Sequence, residues 1–227
     1  MIAMQRIGIP YNITKSLFLP LQLMEHNITT GFGTSEETYS SQSAKTTLQG
    51  ILQGNGNGPS AWAVLSSLIF HLMKSKGFGA NFTSMISKIT TEFVGYGFVD
   101  DVDLVLTEDK EIIFEQAQEG LNTWEGGLHA TGGALQISKD KTFYYVISFK
   151  RINNKWEYTD IHDIPGNLYA RDDQGSIKKL QREEVSKANE TLGTFLAPNG
   201  DMTKQIEKLK HKADQFAASI QTRQNFT

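Results

Sequence analysis

The sequence predicts an α+β fold in which hairpins and separate helices are mixed without regular βαβ alternation. Three observations predict it. Residues 92–99 and 102–107 are β-rich runs separated only by Asp100-Asp101, the layout of a tight hairpin. Residues 60–74 form a long apolar run opened by Pro59, which suits the first turn of a helix. Residues 109–126 and 201–220 carry apolar side chains at helical spacing.

In chain order, residues 1–7 read as the tail of a helix that stops at Gly8-Ile9-Pro10. Asn12 or Thr14 is placed to cap a second helix, with Leu17, Leu21 and Met24 on one face. Pro20 is expected to kink or shorten it. Residues 29–32 and 38–41 read as short strands around Gly33-Thr34-Ser35. Gln53-Gly54-Asn55-Gly56-Asn57-Gly58-Pro59 is a loop by its alternating glycines. The helix after it has almost no polar face and is expected to be buried. Helix 109–126 lines up Ile113, Phe114, Ala117, Leu121 and Trp124. Residues 142–149 and 155–158 form a hairpin across Ile152-Asn153-Asn154, and 176–180 and 191–196 add short strands. The last helix sets Ile206, Leu209, Ala213 and Phe216 on one side.

The 227 residues suffice for one large domain or two small ones, and 39% hydrophobic with 21% charged residues is ordinary globular composition. No run of eighteen apolar residues occurs, and stretch 61–73 is broken by Ser66, Ser67 and His71, so no membrane partner is expected. The start, Met1-Ile2-Ala3-Met4-Gln5-Arg6, lacks a signal-peptide layout, so the expected compartment is intracellular, cytoplasm or nucleus. The Asn-x-Thr sequons at Asn12, Asn27, Asn81, Asn189 and Asn225 then read as chance. With no cysteine, disulfides and thiolate metal sites are excluded. The net charge of −3 is unevenly spread: 7 Lys/Arg against 13 Asp/Glu through Ser138, then 15 against 12.

Chemistry concentrates in Phe93-Val94-Gly95-Tyr96-Gly97-Phe98-Val99-Asp100-Asp101. Adjacent carboxylates repel, and a divalent cation with hard oxygen ligands removes that cost. A solvated Asp-Asp turn is the plain alternative, and Asp103 is read onto the solvent side of the returning strand. The Gln53–Pro59 glycines suit close approach of backbone amides to an anion, but they lack the Lys-Ser/Thr ending of a P-loop. A third segment, Thr131-Gly132-Gly133-Ala134-Leu135, leads to Lys139-Asp140-Lys141-Thr142, whose lysine can serve a triphosphate or simply face solvent. His26, His71, His129, His162 and His211 are too scattered for a site.

In their order and spacing these blocks resemble those of reverse transcriptases, the RNA-directed DNA polymerases of retrotransposons and other retroelements. Gln53-Gly54 before a Pro-initiated helix resembles the block that positions template and nucleotide. Phe98-Val99-Asp100-Asp101 is similar to the aromatic-x-Asp-Asp box. Gly133 through Lys141 is similar to the glycine turn leading to a lysine, and Thr191-Leu192-Gly193-Thr194-Phe195-Leu196 resembles the Leu-Gly strand that contacts primer. The resemblance runs from about Met1 to Ala213. It implies a polymerase palm, an antiparallel sheet with helices packed on one face, over residues 1–190. A primer-contacting strand and the start of a thumb would follow over 191–227.

The resemblance also implies roles. Asp100 would bind two Mg²⁺ ions with Asp101 beside it, and Phe98 would support the primer terminus. Gln53 and Gly54 would line the nucleotide pocket, Lys141 would assist the pyrophosphate, and Leu192-Gly193 would hold the primer. The partners implied are an RNA template, a DNA primer and deoxynucleotides.

The family also carries an essential aspartate on a strand before the helix that ends in Gly-Ile-Pro. Here that helix begins at Met1, and the first aspartate in the chain is Asp100. The chain is therefore expected to lack that strand and the fingers, and to have no useful polymerase activity alone. The N-terminal part of the same polyprotein would supply what is missing. Two other readings stay open. One is a non-catalytic nucleic-acid-binding remnant using Lys178, Lys179, Arg182, Lys204, Lys208, Lys210 and Lys212. The other is an unrelated Mg²⁺ or Ca²⁺ module on Asp100, Asp101 and Asp103, which lacks the twelve-residue loop with its terminal Glu.

Overall fold

The first helix stops where its glycine requires. α1 (Ile2–Arg6) is followed by Gly8 at φ +93°. Gly8 N–H donates to the Gln5 carbonyl at 3.0 Å and Ile9 N–H to the Met4 carbonyl at 3.0 Å, the paired bonds by which a left-handed glycine satisfies the last helical carbonyls. This computed structural model describes residues 2–6, 8–40, 58–98, 101–138, 141–172 and 174–224. By internal packing they form two compact units, Met1–Asp109 with Glu115–Ala134, and Lys110–Phe114 with Leu135–Thr227. The fold is α+β.

In the first unit, α2 (Tyr11–Leu23) has Pro10 at its N-cap and no side-chain cap. Neither Asn12 nor Thr14 caps it. Both lie inside the first turn, where the Thr14 hydroxyl donates back to the Pro10 carbonyl at 3.1 Å. Pro20 does not shorten the helix, which runs on to Leu23. A proline removes its own backbone bond and leaves those on either side available.

The expected pair of strands is instead two nested ladders. β1 (Glu25–His26) pairs with β4 (Tyr39–Ser40), around an inner hairpin of β2 (Thr29–Thr30) and β3 (Gly33–Thr34). The chain reverses at Gly31-Phe32, inside the run read as one strand. The Gln53-Gly54 loop lies outside the described residues.

α3 (Gly58–Ser75) carries Pro59 in its first turn, as expected. It is not buried all round: Ala61, Ser66, Ile69 and Met73 form the buried stripe, and Leu72 is exposed. α1 packs against both α2 and α3.

The run 92–99 is not one strand. It breaks at the buried Val94 into β6 (Thr90–Phe93) and β7 (Gly95–Phe98). β6 pairs back with β5 (Ala80–Thr83), and β7 pairs forward with β8 (Asp101–Leu104). At the break the Val94 carbonyl accepts from Val105 N–H at 2.8 Å, so the exchange of partners leaves that carbonyl paired. α4 (Ile113–Ala130) starts later than expected and continues through Gly126-Gly127. It lies close on α3. Trp124 meets Phe70 with ring centroids 5.0 Å apart, and Lys76 Nζ donates to Thr123 Oγ1 at 3.2 Å. Ile69, Met73, Phe78, Ala80, Val94, Trp124 and Leu128 form the core.

In the second unit the run 142–149 splits. β9 (Phe143–Tyr145) pairs in parallel with the distant β14 (Gln181–Glu183). β10 (Phe149–Ile152) forms the expected hairpin with β11 (Lys155–Tyr158), turning on Asn153 and Asn154 at φ +49° and +63°. β12 (Tyr169–Arg171) pairs with β13 (Ile177–Lys179), and β15 (Asn189–Thr191) with β16 (Thr194–Leu196). α5 (Thr203–Gln224) follows. The core here is Ile164, Leu168, Ala170, Leu180 and Ala188. Phe114 stands edge-on to Tyr144 and beneath the Arg182 guanidinium, 5.4 Å from its ring centroid. Among the described residues no sheet is wider than two strands, and no helix is long and apolar enough to cross a membrane.

Candidate functional site

Register decides what the β7–β8 hairpin presents. Phe98 lies opposite Asp101, Gly97 opposite Val102, Tyr96 opposite Asp103 and Gly95 opposite Leu104. Directly opposed residues share a face and successive residues alternate. Phe98, Asp101, Tyr96 and Asp103 therefore occupy one face, and the two glycines, Val102 and Leu104 the other. Asp101 is not at the tip, where the sequence reading put both carboxylates; it is the first residue of β8. Only Val99 and Asp100 join the strands, and both lie outside the described residues.

The two described acids differ. Asp101 is exposed, and its carboxylate makes no hydrogen bond or ion pair with another described residue. Asp103 lies on the same face as exposed Tyr96 and Phe98, as expected for the solvent side of the strand, but is itself half-buried, and the Tyr96 hydroxyl bonds to it. That bond to a carboxylate, then burial, then the nearby negative charge push Tyr96 up to about 12.

On the other face Gly95 leaves room for the backbone of its partner strand, and Gly97 faces the Phe70 ring at ordinary contact distance. A Cβ at Gly95 would stand 2.2 Å from the Asp103 carbonyl oxygen, and one at Gly97 would stand 3.7 Å from the Phe70 ring of α3. Between α3 and β7 lies an open, apolar groove of about 390 Å³. Pro59, Trp62, Ser66 and Phe70 form its helical wall, and Gly97 and Phe98 the strand side. Phe98 is 58% exposed at the rim. The helix opened by Pro59 and the aromatic before the aspartates therefore border one groove. The period-two pattern Gly95-Tyr96-Gly97-Phe98 was the signal for this division of faces, and the sequence reading did not use it.

Among the described residues no three His, Asp or Glu side chains gather to hold a metal ion. Asp103 is engaged by Tyr96, which leaves Asp101 as the one uncommitted carboxylate described on this hairpin. One carboxylate does not make a site for two Mg²⁺ ions, so the described residues alone do not fit that pair.

The remaining predicted residues lie in the second unit. Lys141 is exposed, and its N–H donates to the Ser138 carbonyl at 3.1 Å in the turn before β9. Leu192 and Gly193 are not on a strand. They are the two-residue turn between β15 and β16, at φ +51° and +81°. The Gly193 carbonyl accepts from Lys208 Nζ at 2.7 Å, and Lys208 also pairs with Glu190.

The suggested phosphate-binding cations divide as well. Lys204 and Lys208 lie 4.4 and 5.1 Å from the Phe195 ring centroid, and Arg182 donates to the Ile164 carbonyl at 2.5 Å. These three serve the fold. Lys179, Lys210 and Lys212 are exposed. Compared with family models, with curated proteins and with solved structures, the chain matches none.

Proposed function

We propose that this chain is part of a retroelement-type reverse transcriptase: a palm fragment that does not polymerise by itself. The observation that carries the reading is the register that sets exposed Asp101 opposite Phe98, beside the groove bordered by the Pro59 helix. A nucleotidyl-transfer site requires charge at a strand turn, an apolar seat for the primer terminus, and water-accessible space between them. The order of the blocks along the chain adds to this.

In the complete enzyme the primer 3′-oxygen attacks the α-phosphorus of a deoxynucleotide. A P–O bond forms there, the bond to the β-phosphate oxygen breaks, and pyrophosphate leaves. Phe98 would seat the primer end, with Asp100 and Asp101 facing the reacting phosphate. By the resemblance alone, Lys141 would assist the pyrophosphate and the Leu192-Gly193 turn would hold the primer. The described carboxylates do not by themselves make the two-metal set the family uses, and the isolated chain is therefore proposed to have no activity.

Primer extension on poly(rA)/oligo(dT) with Mg²⁺ tests the reading. The chain as it stands is run beside a form extended upstream through an aspartate-bearing strand. Incorporation by the extended form alone, abolished by Asp100→Ala, is the expected result. A folded extended form that incorporates nothing sinks it. The exposed Lys179, Lys210 and Lys212 favour a second reading, a non-catalytic nucleic-acid-binding remnant. It requires salt-dependent binding to an RNA–DNA hybrid that survives loss of both Asp100 and Asp101.

A further inference from the structure

The β10–β11 hairpin is a two-stranded ribbon whose faces differ in kind. Phe149 pairs with Tyr158 and Arg151 with Trp156, so these four share one face. Lys150, Glu157, Ile152 and Lys155 share the other. The ribbon is anchored at one end: the Tyr158 hydroxyl donates to the Pro198 carbonyl at 3.2 Å, and Thr159 N–H to the Ser148 carbonyl at 2.8 Å. Its outer end is open. Trp156 is 70% exposed and Phe149 49%, although an indole is among the side chains that gain most from burial. Trp156 therefore does little for the fold that carries it.

Three features say what kind of molecule would cover this face. It carries no carboxylate, and its single charge is the Arg151 guanidinium opposite the indole. From Lys150 to Glu157 the ribbon holds three basic residues and one acid; Lys150, on the other face, is paired with Asp163 at 2.6 Å, which leaves Arg151 as the cation on the aromatic face. Its aromatic surface comes in two layers along the strands, Phe149 with Tyr158 at 4.8 Å between ring centroids, then Trp156 beside Arg151, about 7 Å further on by the two-residue strand repeat. Flat aromatic surface beside a guanidinium, on a face without carboxylates, matches unpaired bases on a phosphate chain, since every base has a π-face and every linkage a negative charge. The turn on Asn153 and Asn154, both at positive φ, holds the ribbon in shape before a ligand arrives.

We infer that this face binds single-stranded nucleic acid, with a base stacked on Trp156 and a neighbouring phosphate or base edge held by Arg151. None of these residues belongs to the candidate polymerase site, so the inference stands without that reading.

The test is fluorescence anisotropy of labelled oligo(dT) and oligo(rU) with the full chain. It uses no divalent cation and no duplex, so its failure would leave the polymerase proposal untouched. Trp156→Ala is expected to weaken binding about tenfold or more, and Trp156→Phe, which keeps a stacking ring, to stay within about threefold. Arg151→Gln should weaken binding and flatten its salt dependence. A preference for one oligonucleotide would tell RNA from DNA as the natural strand. The inference is overturned if wild-type protein binds neither strand, if Trp156→Ala binds as wild type with an unchanged circular dichroism spectrum, or if Trp156→Phe loses as much as Trp156→Ala. It is equally overturned if Trp156→Ala changes the sedimentation behaviour and not the binding, since the face would then be a protein interface.

Discussion

Tyr96 and Asp103 face each other across β7 and β8, and the phenol donates its proton to the carboxylate. The bond holds Tyr96 in its neutral form and pushes its ionisation from 10.0 to about 12. The sign follows from linkage: a raised folded value stabilises the fold below pH 10.0, and that contribution fades as pH rises through about 12. Tyr96 is 47% exposed, so solvent screening keeps the contribution to about 1 kcal/mol or less. In a titration at 295 nm, subtracting Tyr96→Phe from wild type should leave one phenol with a midpoint near 12. Asp103→Asn should bring that midpoint back toward 10. A late phenol that persists in Asp103→Asn would mean the carboxylate is not its cause.

The neighbouring glycines of α4 should respond oppositely to the same change. A Cβ at Gly126 meets nothing within 4 Å, whereas one at Gly127 stands 2.7 Å from Ile69 Cγ2. Gly126→Ala should gain about 1 kcal/mol of helix propensity. At Gly127 that gain is outweighed. Ile69 is buried and β-branched, its Cγ2 cannot swing aside, and overpacking costs about 1–3 kcal/mol. Urea unfolding of both variants checks the contrast, and a rise in stability for Gly127→Ala would mean that the two helices are not in contact there.

Leu192 sits at φ +51° in the turn before Gly193, half exposed, where an L side chain with a γ-branch has no packing to repay the strain. Two-residue hairpin turns of this hand prefer Asn-Gly. Leu192→Asn should therefore stabilise by about 1 kcal/mol, and Leu192→Ile should destabilise. If the extended enzyme loses primer extension in Leu192→Asn while gaining stability, Leu192 is kept for the primer rather than for the fold.

Leu192 also marks where the sequence stops being legible. Local chemistry could be read: Gly8 ends α1, Pro59 opens α3, and Asn153-Asn154 turns a hairpin, because each acts through the conformation of its own backbone. Leucine is no turn residue, so residues 191–196 read as one strand although Gly193 folds them in two. The break at Val94 is hidden for a different reason. It depends on which strand lies alongside, and both halves of 90–98 have equal β character. The parallel pairing of Phe143 with Gln181 spans residues that no local pattern connects. At the candidate site the placement of Phe98 and Asp101 beside the hairpin turn was legible. The partnership of Asp103 with Tyr96 was not, because a register shift of one residue exchanges the two faces.

The start of α5 is held by two exposed carboxylates, and acid should loosen it. Asp201 accepts from Thr203 N–H at 2.9 Å and from the Thr203 hydroxyl at 2.6 Å, which holds its carboxyl below the usual range. Glu190 is held low mainly by its bond to Lys208, which reaches back from the helix to β15. Both folded values lie below the unfolded ones. Their stabilisation is therefore present above the ordinary carboxylate range and is lost as pH falls through the folded values. Beyond this first turn Ile206, Leu209, Phe216 and Ile220 are all exposed, so the helix has little apolar packing to hold it once these bonds go. Far-ultraviolet circular dichroism should show helix signal falling below about pH 4, and Asp201→Ala should show part of that loss already at pH 7. Asp201→Asn, which keeps an accepting oxygen without the charge, should retain the helix at pH 7 and become less sensitive to acid. A helix signal equally acid-sensitive in Asp201→Asn and Glu190→Gln would show that other groups control the loss.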